Sequence, residues 1–259
     1  MGERAGYDAG TFCWAGLATS RPSEAEAFYT GLLGWGAEEL SAGAAGTYRL
    51  MRRGGKDVAI VYRQTTQARA AQAPPHWTSY ISVADADATA TRAGELGGAA
   101  VFRAPFDVLD AGRVAAIRDP TGAIVSLWQP RAKIGATLVN DVGALCWNEL
   151  ATTDVERAKT FYSDLLGWAY ETGEGGCATI TNVGRRNGAI RKLGTHERAA
   201  RPNWLPFFTV DGLEQAAHRA ERLGGHKLGA TTRTDSGRFL VIADPQRAPF
   251  ALFEGDTDP

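Results

Sequence analysis

The chain has 259 residues, 44% of them hydrophobic and 22% charged, enough for two cores of ~130 residues each rather than one. Its 28 lysines and arginines against 29 acids leave a formal net charge of −1, which argues against nucleic acid or an anionic membrane as a partner. No apolar run approaches the ~20 residues that span a bilayer, and the start, MGERAGYDAGTFCW, has no hydrophobic signal core, so a cytoplasmic protein is expected.

The first strand-like stretch is FCWAGLAT from Phe12, followed by a helix whose apolar residues Ala25, Phe28, Tyr29, Leu32 and Leu33 recur at helical spacing. Ser20 is its expected N-cap and Gly34 its stop. TYRLMRRGGKDVAIVYRQ reads as a hairpin turning at Gly54-Gly55. After a loop with Pro74 and Pro75 come the strand TSYISV, a helix ending in LGG, and a last hairpin turning at DPTG. Residues 131–141 read as a linker between domains at 9–130 and 142–256.

The second half repeats this order. LCWNELATTDVERAKTFYSDLLGW, from Leu145, matches FCWAGLATSRPSEAEAFYTGLLGW, from Phe12, at about half its positions, with Trp14 and Trp147 133 residues apart. Trp77 and Trp204 are 127 apart, and Asp119 and Asp244 125 apart, so the second copy has shorter loops. Thr153 or Asp154 is the expected N-cap and Gly167 the stop of its first helix. The unit is βαβββ used four times, an α+β fold with mixed sheets. Arg247 stands where DPTG has Gly122, so that turn is expected to differ. The repeat-equivalent Arg113 and Arg238 read as structural braces. The run HERAAR, from His196, reads as solvated surface. Cys13, Cys146 and Cys177 form neither a disulfide framework nor a zinc cluster.

FYTGLLGW and FYSDLLGW after the first strands, LGG ending the second helix and RDPTGAIVSL closing the domain resemble the vicinal oxygen chelate superfamily of glyoxalase I, bleomycin-resistance proteins and extradiol dioxygenases. The closest resemblance is to two-domain glyoxalase-like proteins of high-GC bacteria. It implies tandem domains, each of two βαβββ modules curving a sheet around a cleft, and a divalent metal held there by His and Glu. It places those ligands at Trp14, Thr78 and Ser126 in the first copy, and at Trp147, Leu205 and Ala251 in the second. None of these side chains is a good divalent-metal ligand, since imidazole or carboxylate is needed to displace water from the ion. No metal and no cofactor are therefore expected.

Strand alternation turns Trp14, Gly16 and Ala18 toward the cleft, and Cys13, Ala15 and Leu17 toward the helix. By the same phase the first cleft receives Thr78, Tyr80, Ser82, Ser126 and Trp128, with His76 near its mouth. The second receives Trp147, Glu149, Ala151, Leu205, Phe207, Thr209, Ala251 and Phe253. Glu149, opposite Gly16 of the other copy, is an acid in an apolar cleft. It is a candidate for proton transfer, or else half of an ion pair with Arg191 or Arg238. His76 is a second candidate for proton transfer, or else a loop residue bonded to backbone.

Two aromatic clefts with sparse polar groups point to metal-independent binding of a hydrophobic, aromatic small molecule or secondary metabolite, by sequestration or by tailoring chemistry without a metal. The alternative is a metal-dependent glyoxalase-like lyase or isomerase, or a dioxygenase. A third is an interaction protein with filled clefts. Four modules in one chain satisfy the pairing internally, which favours a monomer over a homodimer.

Overall fold

The computed structural model of the chain describes residues 2–43, 46–101, 104–194 and 201–257. The first half runs β1 (Phe12–Thr19), α1 (Pro22–Leu33), β2 (Gly36–Ser41), β3 (Thr47–Arg53), β4 (Lys56–Arg63), α2 (Thr66–Ala70), β5 (His76–Ser82), α3 (Ala86–Glu95), β6 (Ala99–Ala100), β7 (Phe106–Val108), β8 (Gly112–Arg118) and β9 (Ile124–Pro130). The second runs β10 (Leu145–Thr152), α4 (Val155–Leu166), β11 (Ala169–Thr172), β12 (Ala178–Asn182), β13 (Arg185–Lys192), β14 (Asn203–Thr209), α5 (Leu213–Arg222), β15 (His226–Lys227), β16 (Thr232–Thr234), β17 (Gly237–Ala243) and β18 (Pro249–Gly255). The HERAAR run lies, except for Arg201, outside the described residues.

Each half is one mixed nine-stranded sheet, ordered β2-β3-β4-β1-β5-β9-β8-β6 in the first and β11-β12-β13-β10-β14-β18-β17-β15 in the second, with β7 against β8 and β16 against β17. This is the duplicated α+β architecture the repeat predicts, with one extra short strand in the second and fourth modules. The modules of each half join through their first strands, β1 antiparallel to β5 and β10 antiparallel to β14. Trp14 lies opposite Tyr80 and Trp147 opposite Phe207, so the two halves keep one register.

Local signals set several of the helix ends. Asp154 caps α4, its side chain accepting from Arg157 N at 3.1 Å. Ser20 does not cap α1: Arg21 holds that place without a side-chain bond, and Pro22, which has no N–H to satisfy, opens the helix. Gly34 and Gly167 end α1 and α4 in the left-handed conformation. The turn after β17 also corrects an expectation. Arg247 adopts φ 74°, as Gly122 adopts 110°, and its N–H bonds to Asp244 O at 2.9 Å as Gly122 N does to Asp119 O at 3.0 Å. The Asp244 carboxylate accepts from the N–H groups of Gln246 and Ala248, which holds the same turn without a glycine.

The cores are shared crosswise between the halves. One apolar cluster joins Phe28, Tyr29 and Trp35, from α1 and its end, to Phe208, Ala217 and Phe250 of the second half. Another joins Ile81, Ala93 and Leu127 of the first half to Phe161, Tyr162 and Trp168 of the second. At the centre of each, the tyrosine of the repeated FY pair links a tryptophan to an aspartate of the opposite half. Tyr29 donates to Asp244 at 3.2 Å and accepts from Trp77 Nε1 at 2.9 Å; Tyr162 donates to Asp119 at 3.0 Å and accepts from Trp204 Nε1 at 2.9 Å. Buried polar atoms are thus satisfied in pairs. The helix-side faces of both sheets feed these shared cores, so each cleft lies on the face turned away from them.

Candidate functional site

In the first cleft the candidates Trp14, Thr78, Tyr80, Ser126 and Trp128 are brought together and closely packed, all at 6% exposure or less. Trp14 meets Tyr80 and Trp128 edge-on, with ring centroids 6.3 and 5.6 Å away. Tyr62 of β4, missed in the sequence, reaches the hydroxyls of Tyr80 and Thr78, and burial raises both phenol pKa values above the ordinary one. Gly16 makes room for these rings. A Cβ there would stand 2.9 Å from the Tyr80 ring and 3.2 Å from that of Tyr62.

Cys13 departs from the expected alternation. A bulge between Phe12 and Trp14 turns it into the same cluster as Trp14, so two consecutive residues share the cleft face. The linker then crosses that end of the cleft. Ala136 N bonds to Cys13 O at 2.9 Å, and a Cβ on Gly135 would lie only 2.5 Å from that oxygen. Trp128 Nε1 donates to Lys133 O at 2.9 Å, and Lys133 Nζ pairs with the buried Asp57 at 2.9 Å. The Trp14 indole N–H is buried without a hydrogen-bond partner.

The second cleft has a different floor. Leu205, Phe207, Ala251 and Phe253 form a buried apolar cluster, with Cys146, Trp147, Phe239 and Val241 half-buried against it. Phe239 and Val241, on β17, are again residues the sequence reading missed, although the hairpin at the DP turn sets β17 beside β18 and their alternation marks them. Glu149 stands at the Gly16 position, 12% exposed at its side chain, and pairs with Arg191 Nε at 2.7 Å. Ala151 faces Arg191 across β13 as Ala18 faces Tyr62 across β4. Gly16 with Tyr62 in one half thus becomes Glu149 with Arg191 in the other. Burial pushes the Cys146 thiol up to about 12, so it is no thiolate nucleophile at neutral pH.

His76 opens β5 exposed, with Nδ1 3.0 Å from Pro74 O, and sits on the sheet that does not carry Glu149. The structure therefore does not bring these two candidates into one site. Arg113 and Arg238 are braces, as expected, bonding Asp87 with Asp107 and Glu214 with Glu254.

The residues at the superfamily's metal positions do not fit a divalent ion. In the second half Leu205 and Ala251 belong to the apolar floor, and in the first Thr78 and Ser126 offer only hydroxyls beside Trp14. Among the described residues no three His, Cys, Asp or Glu side chains are placed to hold a metal. No helix among them is long and apolar enough to cross a membrane.

Comparison with known proteins finds a family match in each half of the chain. A family model for the Glyoxalase/Bleomycin resistance protein/Dioxygenase superfamily matches residues 11–127, and one for a Glyoxalase-like domain matches 145–253. The "Putative glyoxylase CFP32" of Mycobacterium tuberculosis is 36% identical over 265 residues, covering 98% of each chain. The "Anthracycline biosynthesis protein DauV" of Streptomyces sp. is 33% identical over 95% of this chain and 93% of that protein. Among solved structures, a mutant 4-hydroxymandelate synthase from Streptomyces coelicolor superposes with a TM-score of 0.65 at 14% identity, over 98% of this chain and 94% of that one. The Mn(II)-bound glyoxalase from Novosphingobium aromaticivorans gives 0.64 at 14% identity, over 100% and 85%. At such identity these two share the fold.

Proposed function

This chain belongs to the glyoxalase/bleomycin-resistance/dioxygenase superfamily, and on that premise we propose that it binds a hydrophobic aromatic metabolite in its second cleft without a metal. One observation carries the reading. The positions where the superfamily holds its metal are merged into an apolar floor of Leu205, Phe207, Ala251 and Phe253, left half-open at Trp147, Phe239 and Val241. Such a floor offers stacking and dispersion to a flat ring system, while a few polar groups fix its orientation. The Glu149–Arg191 pair is the charged group of this cleft, and in this reading Glu149 exchanges a proton with the bound ligand. The relatives named for anthracycline biosynthesis, an aromatic secondary metabolism, support this ligand class.

Titration of the dialysed protein with a planar aromatic quinone, followed by tryptophan fluorescence and calorimetry, tests the reading. Saturable binding that survives a chelator and weakens about tenfold or more in Trp147→Ala is expected, since an interfacial aromatic anchor contributes on this scale. Binding that requires added Mn(II), Fe(II) or Zn(II) would instead support the metal-dependent lyase or dioxygenase alternative.

A further inference from the structure

Beside the half-buried Trp147 the second half has a groove of about 750 Å³ between the N-terminal segment and the β12–β13 hairpin. The repeat-equivalent place in the first half is covered. There the linker rests on Cys13 through Gly135 and Ala136, whereas Cys146 and Trp147 line open space. Such a volume suits a small molecule rather than a few waters.

The groove's charge is out of keeping with the whole chain, which carries 28 cations and 29 acids. Among the described residues Arg4, Arg185 and Arg186 line it with one carboxylate, Asp8, and Tyr7, Phe12 and Trp147 are its aromatic residues. Arg185 and Arg186 are consecutive residues at the start of β13, both exposed and neither in an ion pair among the described residues. The adjacent Arg185 and Arg186 guanidinium groups concentrate positive potential at the opening, and each presents donors in a fork that matches a carboxylate. Trp147 belongs both to this groove and to the rim of the apolar floor. A ring stacked on the floor therefore borders the groove that the cations line.

We propose that the groove is an anion subsite and that the ligand of the second cleft is an aromatic carboxylic acid, its rings on the apolar floor and its carboxylate held by Arg185 and Arg186. This inference rests on the reading that the second cleft binds an aromatic molecule, and it narrows that class to molecules bearing an anionic group.

The test compares two probes of one ring system, anthraquinone-2-carboxylate and its uncharged carboxamide, titrated by calorimetry into the full chain and into Arg185→Gln/Arg186→Gln. Both positions are exposed, so the variant's thermal melt should match the parent's and report that it is folded. The acid should bind the parent at least about fivefold more tightly than the amide, as expected of charge-assisted pairs at a partly open site. That ratio should fall toward one in the variant, and should shrink in the parent at high salt. Equal affinity of acid and amide for the parent would overturn the anion subsite and leave the aromatic-binding reading standing. An acid preference that persists in the variant would overturn the assignment to these arginines. Binding of neither probe would count against both readings.

Discussion

The two clefts are copies of one design filled in opposite ways. In the first, Gly16 yields its place to the rings of Tyr62 and Tyr80, hydroxyls meet one another below, and the linker lies across the end at Cys13. In the second, Glu149 and Arg191 hold the places of Gly16 and Tyr62, the floor is aliphatic and aromatic with the Thr209 hydroxyl beside Cys146, and the Cys146 end stays open. The substitutions are paired: an added acid comes with an added base, and an added ring with a lost side chain. After duplication one cleft has become part of the packed interior, while the other keeps space and charge. The contrast is sharpest at the two positions that touch, while the floor and the course of the linker differ as well.

Writing one residue of the second cleft into the first should break this pairing most severely. In Gly16→Glu the new Cβ would stand within 3.0 Å of the Tyr80 ring and the Ile60 side chain, and its carboxylate would face Tyr62 instead of an arginine. A loss of about 3–5 kcal/mol in urea unfolding is expected from overpacking with an unpaired buried charge. Adding Tyr62→Arg should recover part of it. A double variant no more stable than the single one would show that the Gly–Tyr and Glu–Arg pairs are not alternatives.

The reciprocal change acts on the second cleft and comes next in size. Arg191→Ala removes the arginine that pairs with the nearly buried Glu149 at 2.7 Å and should cost about 2–3 kcal/mol, less than a fully buried pair because Arg191 is 27% exposed. Glu149→Gln should cost less, as no buried charge is stranded on the cleft floor, and should change quinone affinity or its pH profile if Glu149 serves the ligand. A folded Glu149→Gln protein with unaltered affinity and pH profile would reduce the pair to a brace.

The fold was legible in the sequence because the repeat writes each element twice: the FY helix, the LGG stop and the DP turn recur at nearly constant offsets. Glu149 stood out for the same reason, as a break in an otherwise matched line. Its partner was one of two arginines until the register of β10 against β13 set Arg191 beside it. Three features were out of reach. The bulge at Cys13 leaves no mark in an unbroken alternation. The conformation of Arg247 depends on a carboxylate that holds the turn. The arginine-lined groove joins residues about 180 positions apart, from a segment whose path is set by Asn182 and Asn187 bonding the backbone of Ala9, Gly10 and Phe12.

The two interhalf latches offer a smaller and more specific contrast. Burial raises the Asp244 carboxyl pKa above that of an ordinary aspartate. The folded state then holds this proton more tightly than the unfolded one, so Asp244 contributes a loss of stability as pH rises from the ordinary aspartate range through its raised value, and none above it. Asp244→Asn should remove that slope. It should also cost about 1–2 kcal/mol at neutral pH, because the Tyr29 hydroxyl loses the acceptor it now has at 3.2 Å. Urea titrations of both proteins across the acidic range read the difference, and identical slopes would show that Asp244 ionises normally in the fold.

The smallest expected effect separates two tryptophans within the first cleft. Trp14→Phe and Trp128→Phe each remove part of an indole from the same buried cluster, so their packing losses should be similar. Their N–H groups differ. Trp128 donates to Lys133 O at 2.9 Å and helps to hold the linker, whereas the Trp14 N–H is buried without a partner. Losing the first leaves a linker carbonyl to find water; losing the second removes a polar group that was already unsatisfied. Trp14→Phe should therefore be the milder change by about 1 kcal/mol, readable as a higher melting temperature than that of Trp128→Phe. Equal melting temperatures would mean that the linker is not held through Trp128, and with it the contrast between a covered and an open cleft would weaken. The same pair of variants also checks which cleft takes the ligand. Quinone affinity should be untouched by Trp14→Phe if binding is confined to the second cleft, and a loss there would show that a ligand reaches the unpaired indole beneath the linker.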